Sequence, residues 1–351
     1  MNFPFVLPTK ILMESGVSSK VGEHLKELGI HRVLVVTDPG IKAAGLLTPI
    51  YASLEQAGVA FFETDQVKPN PRSEDCNRIA VQYKNTGIEG LVAVGGGSAI
   101  DAAKAVAVLM THEGRIEDYE GENTLKCNPL PLVAIPTTAG TGSEVTFFSV
   151  ITDTARQYKM SLLDVRLAPT LALLDSELTA KLPRSIAAAT GMDALTHAIE
   201  AYTGKMSNPI SDALALHAIR LISKYLVAAV EERDNNEARE QMLIASLIAG
   251  MAFGNADIAS VHCISEAIGG MYDTSHGVAN SIFLPFVFQH NCDADIYRHS
   301  QVAICLGVDP SLSEHDAANA AVDKLFSMIR RLGIPKFSEL ASVKEGDLTA
   351  A

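Results

Sequence analysis

The chain has 351 residues, enough for two domains, and at 48% hydrophobic and 20% charged its composition is that of an ordinary globular protein with a large core. The formal net charge is −13 with no basic run, which argues against nucleic acid or an anionic membrane as a partner. Residues 1–10 lack a basic start and are broken by Pro4 and Pro8, so no signal peptide is expected, the longest apolar stretch, 242–253, is too short to span a bilayer, and five cysteines without a CxxC pair suggest reduced thiols and a cytoplasmic setting.

The first half alternates strand and helix signals. Residues 10–14 form a short strand candidate, and 18–28 read as a helix from Val21, Leu25 and Leu28. Residues 31–38 form a buried strand, 46–58 a helix, 60–64 a strand, 73–85 a helix and 90–94 an apolar strand. This alternation with short connections predicts an α/β domain with a parallel sheet covered on both faces. Ligands of such sheets sit beyond the carboxyl ends of the strands, which singles out three loops.

The first loop is Gly95, Gly96, Gly97 and Ser98, between the strand at 90–94 and a helix expected to begin near Ala99. Glycines let a diphosphate approach the backbone, and the helix start offers free N–H groups and a positive dipole end. The alternative is a tight turn with Ser98 as N-cap and Asp101 closing a capping box, and the two readings are compatible. The second loop, residues 135–144, interleaves Thr137, Thr138 and Thr141 with glycines, which suits either ribose and phosphate contacts or a polar loop ending in a helix cap. In the third, Asp38 ends a strand. It can accept hydrogen bonds from ribose hydroxyls and repel a 2′-phosphate, or it can simply form the turn before Pro39-Gly40.

From about Pro183 the spacing becomes helical, over 186–201, 211–230, 237–254 and 315–332. The domains are therefore expected at 1–182 and 183–351, joined without a flexible linker. Asp193 and His197 stand four residues apart, on one face of a helix one turn apart, where both can reach one metal ion. His262 and His276 follow in a glycine-containing apolar region. A buried histidine is more often a hydrogen-bonded core residue than a ligand, but one aspartate and three histidines make a four-ligand metal site. Mixed nitrogen and oxygen ligation suits Fe(II), Zn(II), Mn(II) or Ni(II).

With these residues in hand, the sequence resembles the iron-containing (group III) alcohol dehydrogenases over nearly its whole length. The resemblance rests on Gly95-Gly-Gly-Ser-x-x-Asp101, Pro136-Thr-Thr-x-Gly-Thr-x-Ser-Glu144, Gly191-x-Asp-Ala-Leu-Thr-His-Ala-x-Glu200 and His276-Gly-x-Ala-Asn280, in the expected order and spacing. It implies an N-terminal dinucleotide-binding α/β domain and an all-helical C-terminal metal domain. The metal ligands would be Asp193, His197, His262 and His276, with iron(II) the first candidate. NAD would contact Asp38, Asn70, the glycine segment from Gly95 through Ser98 with Asp101, Thr137, Thr138, Thr141 and Lys159. The implied reaction is hydride transfer between a primary alcohol or aldehyde and nicotinamide, with the metal as Lewis acid, in a homodimer or higher homo-oligomer.

Two positions depart from the family pattern. Glu266 stands where relatives commonly carry a histidine, as a proton relay, an extra ligand or a structural residue. Asp257 is acidic where a small residue is common. If both acids face the substrate, anionic substrates are disfavoured. The sequence also stops at Ala351, where relatives usually continue with about another helix. The competing readings are a polyol dehydrogenase or dehydroquinate-synthase-like enzyme of the same superfamily, a metal-dependent hydrolase, and a non-catalytic metal- or nucleotide-binding protein. The hydrolase reading leaves the glycine loop and Asp38 unexplained.

Overall fold

Short runs of branched and small apolar residues form the centre of the main sheet. The structure is a computed structural model that describes residues 3–232, 234–340 and 343. The strands are β1 (Lys10–Met13), β2 (Arg32–Val36), β3 (Ala60–Thr64), β4 (Gly90–Gly95), β5 (Gly121–Glu122), β6 (Leu132–Pro136), β7 (Phe148–Asp153), β8 (Tyr158–Leu163) and β9 (Leu171–Leu174). Six of them make a parallel sheet in the order β1-β9-β6-β4-β2-β3. Its register runs straight across, with Val35 beside Val92, Val92 beside Val133 and Val133 beside Leu171.

Alternate side chains of the central strands enter opposite faces, as strand geometry requires. Leu34, Leu91, Ala93, Leu132 and Ala134 join one buried cluster. Val33, Val35, Val92, Val94, Val133 and Ile135 join another. The first is covered by α4 (Ser73–Tyr83) and α5 (Gly97–Thr111), the second by α1 (Val21–Glu27) and α3 (Thr48–Ala57). Burial on both faces explains why these strands read as continuous apolar runs.

Several local readings are corrected. The helix expected at 46–58 is α3, and it is preceded by a short helix not expected from the sequence, α2 (Pro39–Ala43), with a turn at Gly45, φ 71°, between them. The helix expected at 18–28 opens with a 3-10 turn over Val17–Lys20. Helix α5 starts at Gly97, not near Ala99. Its N-cap is Gly96, with no side-chain cap. The alternative with Ser98 as N-cap and Asp101 in a capping box is therefore excluded. Strand β9 and the antiparallel pair β7–β8, part of a three-stranded sheet β5-β8-β7, are not expected from the sequence.

The remaining helices are α6 (Arg184–Thr203), α7 (Pro209–Glu231), α8 (Asn236–Phe253), α9 (Ser260–Tyr272), α10 (His276–Asn291), α11 (Ile296–Cys305) and α12 (Glu314–Leu332). Helix α6 is buried almost all round from Ala188 to Tyr202. Small residues make this feasible: a Cβ added at Gly191 would lie 2.2 Å from Leu226 of α7. By length and composition α7 could cross a bilayer. Here it packs along α6 and α8 through Ala215, Ala218, Ile219, Ile222 and Leu226.

Among the described residues the contacts divide the chain into an α/β unit, Val6–Thr138 with Ser143–Lys181, and a helical unit that takes the chain from Leu182 onward together with Ala139–Gly142 and the N-terminal residues up to Phe5. The loop after β6 thus contributes four residues to the helical unit. There, Gly140 lies against Thr190 and Gly142, with φ 61°, against Gly250; a Cβ at either would come within 2.6 Å of its neighbour. All five cysteines are free thiols. The tail around 345–351, where the chain is expected to be shorter than its relatives, lies outside the described residues.

Candidate metal centre and cofactor loops

In the helical unit, four side chains predicted as ligands meet. Asp193 and His197 come from the middle of α6, His262 from the first turn of α9 and His276 from the first residue of α10. Their donor atoms all lie within 4.8 Å of one another. The first three are buried, and His276 is 29% exposed at its side chain. Gly277 lets α10 approach α6 closely, because a Cβ there would sit 2.5 Å from the Ala189 carbonyl oxygen.

The rings of His197 and His262 stack at 4.5 Å between centroids, and those of His262 and His276 tilt at 5.2 Å. Phe253 closes the other face of His197 at 4.1 Å. Burial pushes the His197 pKa down to about 4, so its ring is neutral near neutral pH and has a lone pair to offer. Burial works against ionisation of Asp193, but the three imidazoles outweigh it and hold its carboxyl below the usual range.

The donor set fits a divalent ion. The Asn280 amide nitrogen donates at 2.6 Å to Asp193 Oδ1 and lies 3.0 Å from His262 Nε2 and 3.2 Å from His276 Nε2. A carboxylate oxygen and two imidazole nitrogens therefore face one region, and any lone pairs they turn there call for a hydrogen-bond donor or a cation. A carboxylate with three imidazoles is also the right chemistry for zinc or iron. Glu200, one turn beyond His197, accepts from His262 Nδ1 at 2.5 Å. Sequence reasoning assigns no role to Asn280 or Glu200. Both lie inside the quoted motifs, but their partners are distant in the chain.

Of the departures, Asp257 is exposed in a left-handed turn with φ 64°, its carboxylate accepting from the Ile258 N–H at 2.8 Å. Glu266 is half-buried on α9, one turn beyond His262, and its charge favours protonation of that ring.

In the α/β unit the cofactor candidates gather at the carboxyl ends of the strands. The strand order reverses between β2 and β4, because β3 follows β2 on one side and β4 returns on the other. Open α/β sheets bind ligands at such a switch point. Asp38 leaves β2 there and Gly95 ends β4, with Asp38 Oδ2 3.4 Å from where a Gly95 Cβ would stand. Asp38 Oδ1 caps α2 by accepting from the N–H groups of Gly40 and Ile41 at 2.8 and 3.0 Å. The turn-forming reading of Asp38 therefore holds, and its second oxygen points toward the glycine segment.

Gly96, Gly97 and Ser98 form the open start of α5 without a side-chain cap. Thr138 packs over Gly96, where a Cβ would lie 3.2 Å from its Oγ1, and the Thr137 N–H donates to the Gly95 carbonyl at 3.0 Å. Asn70, with φ 52°, accepts from Lys159 Nζ at 3.1 Å, which joins residues 89 apart in sequence. Thr141 belongs to the segment assigned to the helical unit. Asp101 is committed elsewhere: its oxygens accept from the Ser143 hydroxyl and, at 3.0 Å, from the Val150 N–H.

Comparison with known proteins agrees with this architecture. The family model for iron-containing alcohol dehydrogenase matches residues 8–176, and that for the C-terminal part of the Fe-containing alcohol dehydrogenase family matches 187–351. An NAD-dependent methanol dehydrogenase from Bacillus methanolicus is 39% identical over 345 residues, 98% of this chain and 91% of that protein. The crystal structure of a 1,3-propanediol oxidoreductase superposes with a TM-score of 0.95 at 38% identity, covering 100% of this chain and 92% of the other. A sulfoacetaldehyde reductase from Bifidobacterium kashiwanohense, solved with NAD+, gives 0.90 at 31% identity, covering 100% and 91%. The protein carrying this four-donor cluster belongs to the iron-containing alcohol dehydrogenase family.

Proposed function

We propose that this protein is an NAD-dependent, divalent-metal-dependent alcohol dehydrogenase and aldehyde reductase acting on small primary alcohols and aldehydes. The observation that carries the reading is the convergence of Asp193, His197, His262 and His276 on one region. These four residues are the metal ligands, with iron(II) the first candidate from the family and zinc(II), manganese(II) or nickel(II) compatible with the same donors. A divalent ion held there supplies Lewis acidity that lowers the cost of forming an alkoxide, and NAD supplies the hydride acceptor.

The chain's own residues do the remaining work. The uncapped start of α5 receives the cofactor diphosphate on the N–H groups of its first turn, with Gly95, Gly96 and Gly97 keeping the approach clear. Asp38 Oδ2 accepts from adenosine ribose hydroxyls and disfavours a 2′-phosphate. The Lys159–Asn70 pair places a cation and an amide for the second ribose, Thr137, Thr138 and Thr141 supply hydroxyls, and Asp101 holds the loop from behind. The domain roles follow: 1–182 binds the nucleotide, and 183–351 holds metal and substrate. Glu266 relays the substrate proton. Glu266→Gln keeps the shape and removes the base, so turnover should fall and its pH profile flatten; an unchanged profile refutes the relay. A cytoplasmic setting and a homo-oligomeric state complete the proposal.

NADH absorbance followed during addition of small aldehydes, with Fe(II) or Zn(II) present, tests the function. NADH should be consumed with propanal-like neutral substrates. No consumption with any aldehyde, by folded and metal-loaded protein, favours the hydrolytic or non-catalytic readings.

A further inference from the structure

Glu200 is 3% exposed and is not among the four donor residues. Its carboxylate reaches from α6 to a segment 59 to 62 residues further along the chain. Oε1 accepts from the Val261 N–H at 2.6 Å, while Oε2 accepts from the Ala259 N–H at 3.0 Å and from His262 Nδ1 at 2.5 Å. Helix α9 has Ala259 at its N-cap and no cap of its own from a side chain. Glu200 therefore satisfies free N–H groups of that helix start from a different helix, where a negative charge is also favoured by the dipole.

A carboxylate can only accept, so the proton of a neutral His262 ring must sit on Nδ1. That leaves the lone pair on Nε2, the nitrogen that faces Asn280 together with Asp193 and His276. We propose that Glu200 is the positioning residue of the metal centre: it assigns Nε2 of His262 as the ligand atom and ties the first turn of α9 to metal binding. This rests on the metal reading above and adds the device that prepares one ligand.

Glutamine at this position has a single carbonyl oxygen for three donors. If its amide nitrogen faces His262, the ring must turn its lone pair to Nδ1 and its proton to Nε2, which then cannot ligate. The test is competitive Zn(II) titration of chelated wild type and Glu200→Gln against a chromogenic chelator, with unfolding temperatures taken with and without Zn(II). The zinc Kd of the variant should weaken roughly 10- to 100-fold, the range found for partners of ligating histidines. The zinc-induced rise in unfolding temperature should shrink with it. A purely capping role lowers the unfolding temperature of both forms equally and leaves the Kd unchanged, which overturns the proposal. A wild type that binds no zinc overturns the metal reading itself, and the two failures are distinguishable. If the variant does not fold, 15N-histidine spectra of zinc-loaded wild type decide, with His262 assigned by its loss in His262→Asn. Coordination through Nε2 is expected, and coordination through Nδ1 overturns the assignment.

Discussion

At the scale of single residues, Asp38 performs two tasks with two oxygens. Oδ1 caps α2 and Oδ2 stands beside the glycine segment. The substitution Asp38→Asn keeps the cap, since asparagine caps as well as aspartate, and removes the charge. The ratio of kcat/KM for NADPH over NADH in this variant should therefore rise by roughly tenfold, the effect of about one screened charge pair near a surface. An unchanged ratio would place the ribose elsewhere. The four-donor cluster is legible from sequence because residue type and spacing carry it: Asp193 and His197 are one helical turn apart, and the His276 segment has a distinctive composition. Glu200 and Asn280 are not, since nothing in sequence says that Glu200 reaches residues 259–262 or that Asn280 touches three donor atoms.

At the scale of elements, Lys104 ties α5 to the segment that follows the loop after β6. Its fully buried ammonium donates to the Thr146 carbonyl at 2.9 Å and the Phe148 carbonyl at 2.6 Å, with Asp101 at 3.9 Å. Burial pushes its pKa down to about 8. Lys104→Met leaves Asp101 and Glu144 without their cation, so a loss on the order of 3 kcal/mol is expected in chemical unfolding. A loss as small as that of a surface lysine contradicts the role. Glu144 is also buried, and burial raises its pKa from 4.5 to about 7. Between those values the folded protein keeps a proton that the unfolded chain has lost. Stability from this group is therefore full below about 4.5 and falls as pH rises toward about 7. Relative to Glu144→Gln, the wild type should lose on the order of 1–3 kcal/mol across that window. A difference that does not change with pH contradicts it. The elements hidden in the sequence have physical reasons. Strand β9 is only four residues long. The β7–β8 turn uses Gln157 at φ 50° where a glycine would be the usual signal. Helix α9 leaves Cys263, Ile264, Ala267 and Met271 exposed, which breaks the expected apolar-in pattern, and α10 carries Pro285 inside. The strands buried on both faces and the apolar spacing of α6, α7, α8 and α12 are readable, because core formation dictates them.

At the scale of the whole molecule, one chain carries both a doubly covered parallel sheet, whose switch point holds Asp38 and the glycine loop, and a helical unit that presents three imidazoles and a carboxylate. Ligand binding to the folded state alone stabilises it by mass action, about 2.7 kcal/mol at a hundredfold excess over Kd. Metal removal should therefore lower the unfolding temperature, and His197→Ala should abolish the difference between chelated and loaded protein. The proposed function requires these four side chains to hold the ion on which turnover depends. It is tested most directly by reloading chelated protein with Fe(II) or Zn(II) in measured steps while following NADH consumption with a small aldehyde. The expected result is no consumption without metal and a rise that saturates at one ion per chain. NADH consumption that is undiminished in the fully chelated protein would contradict it.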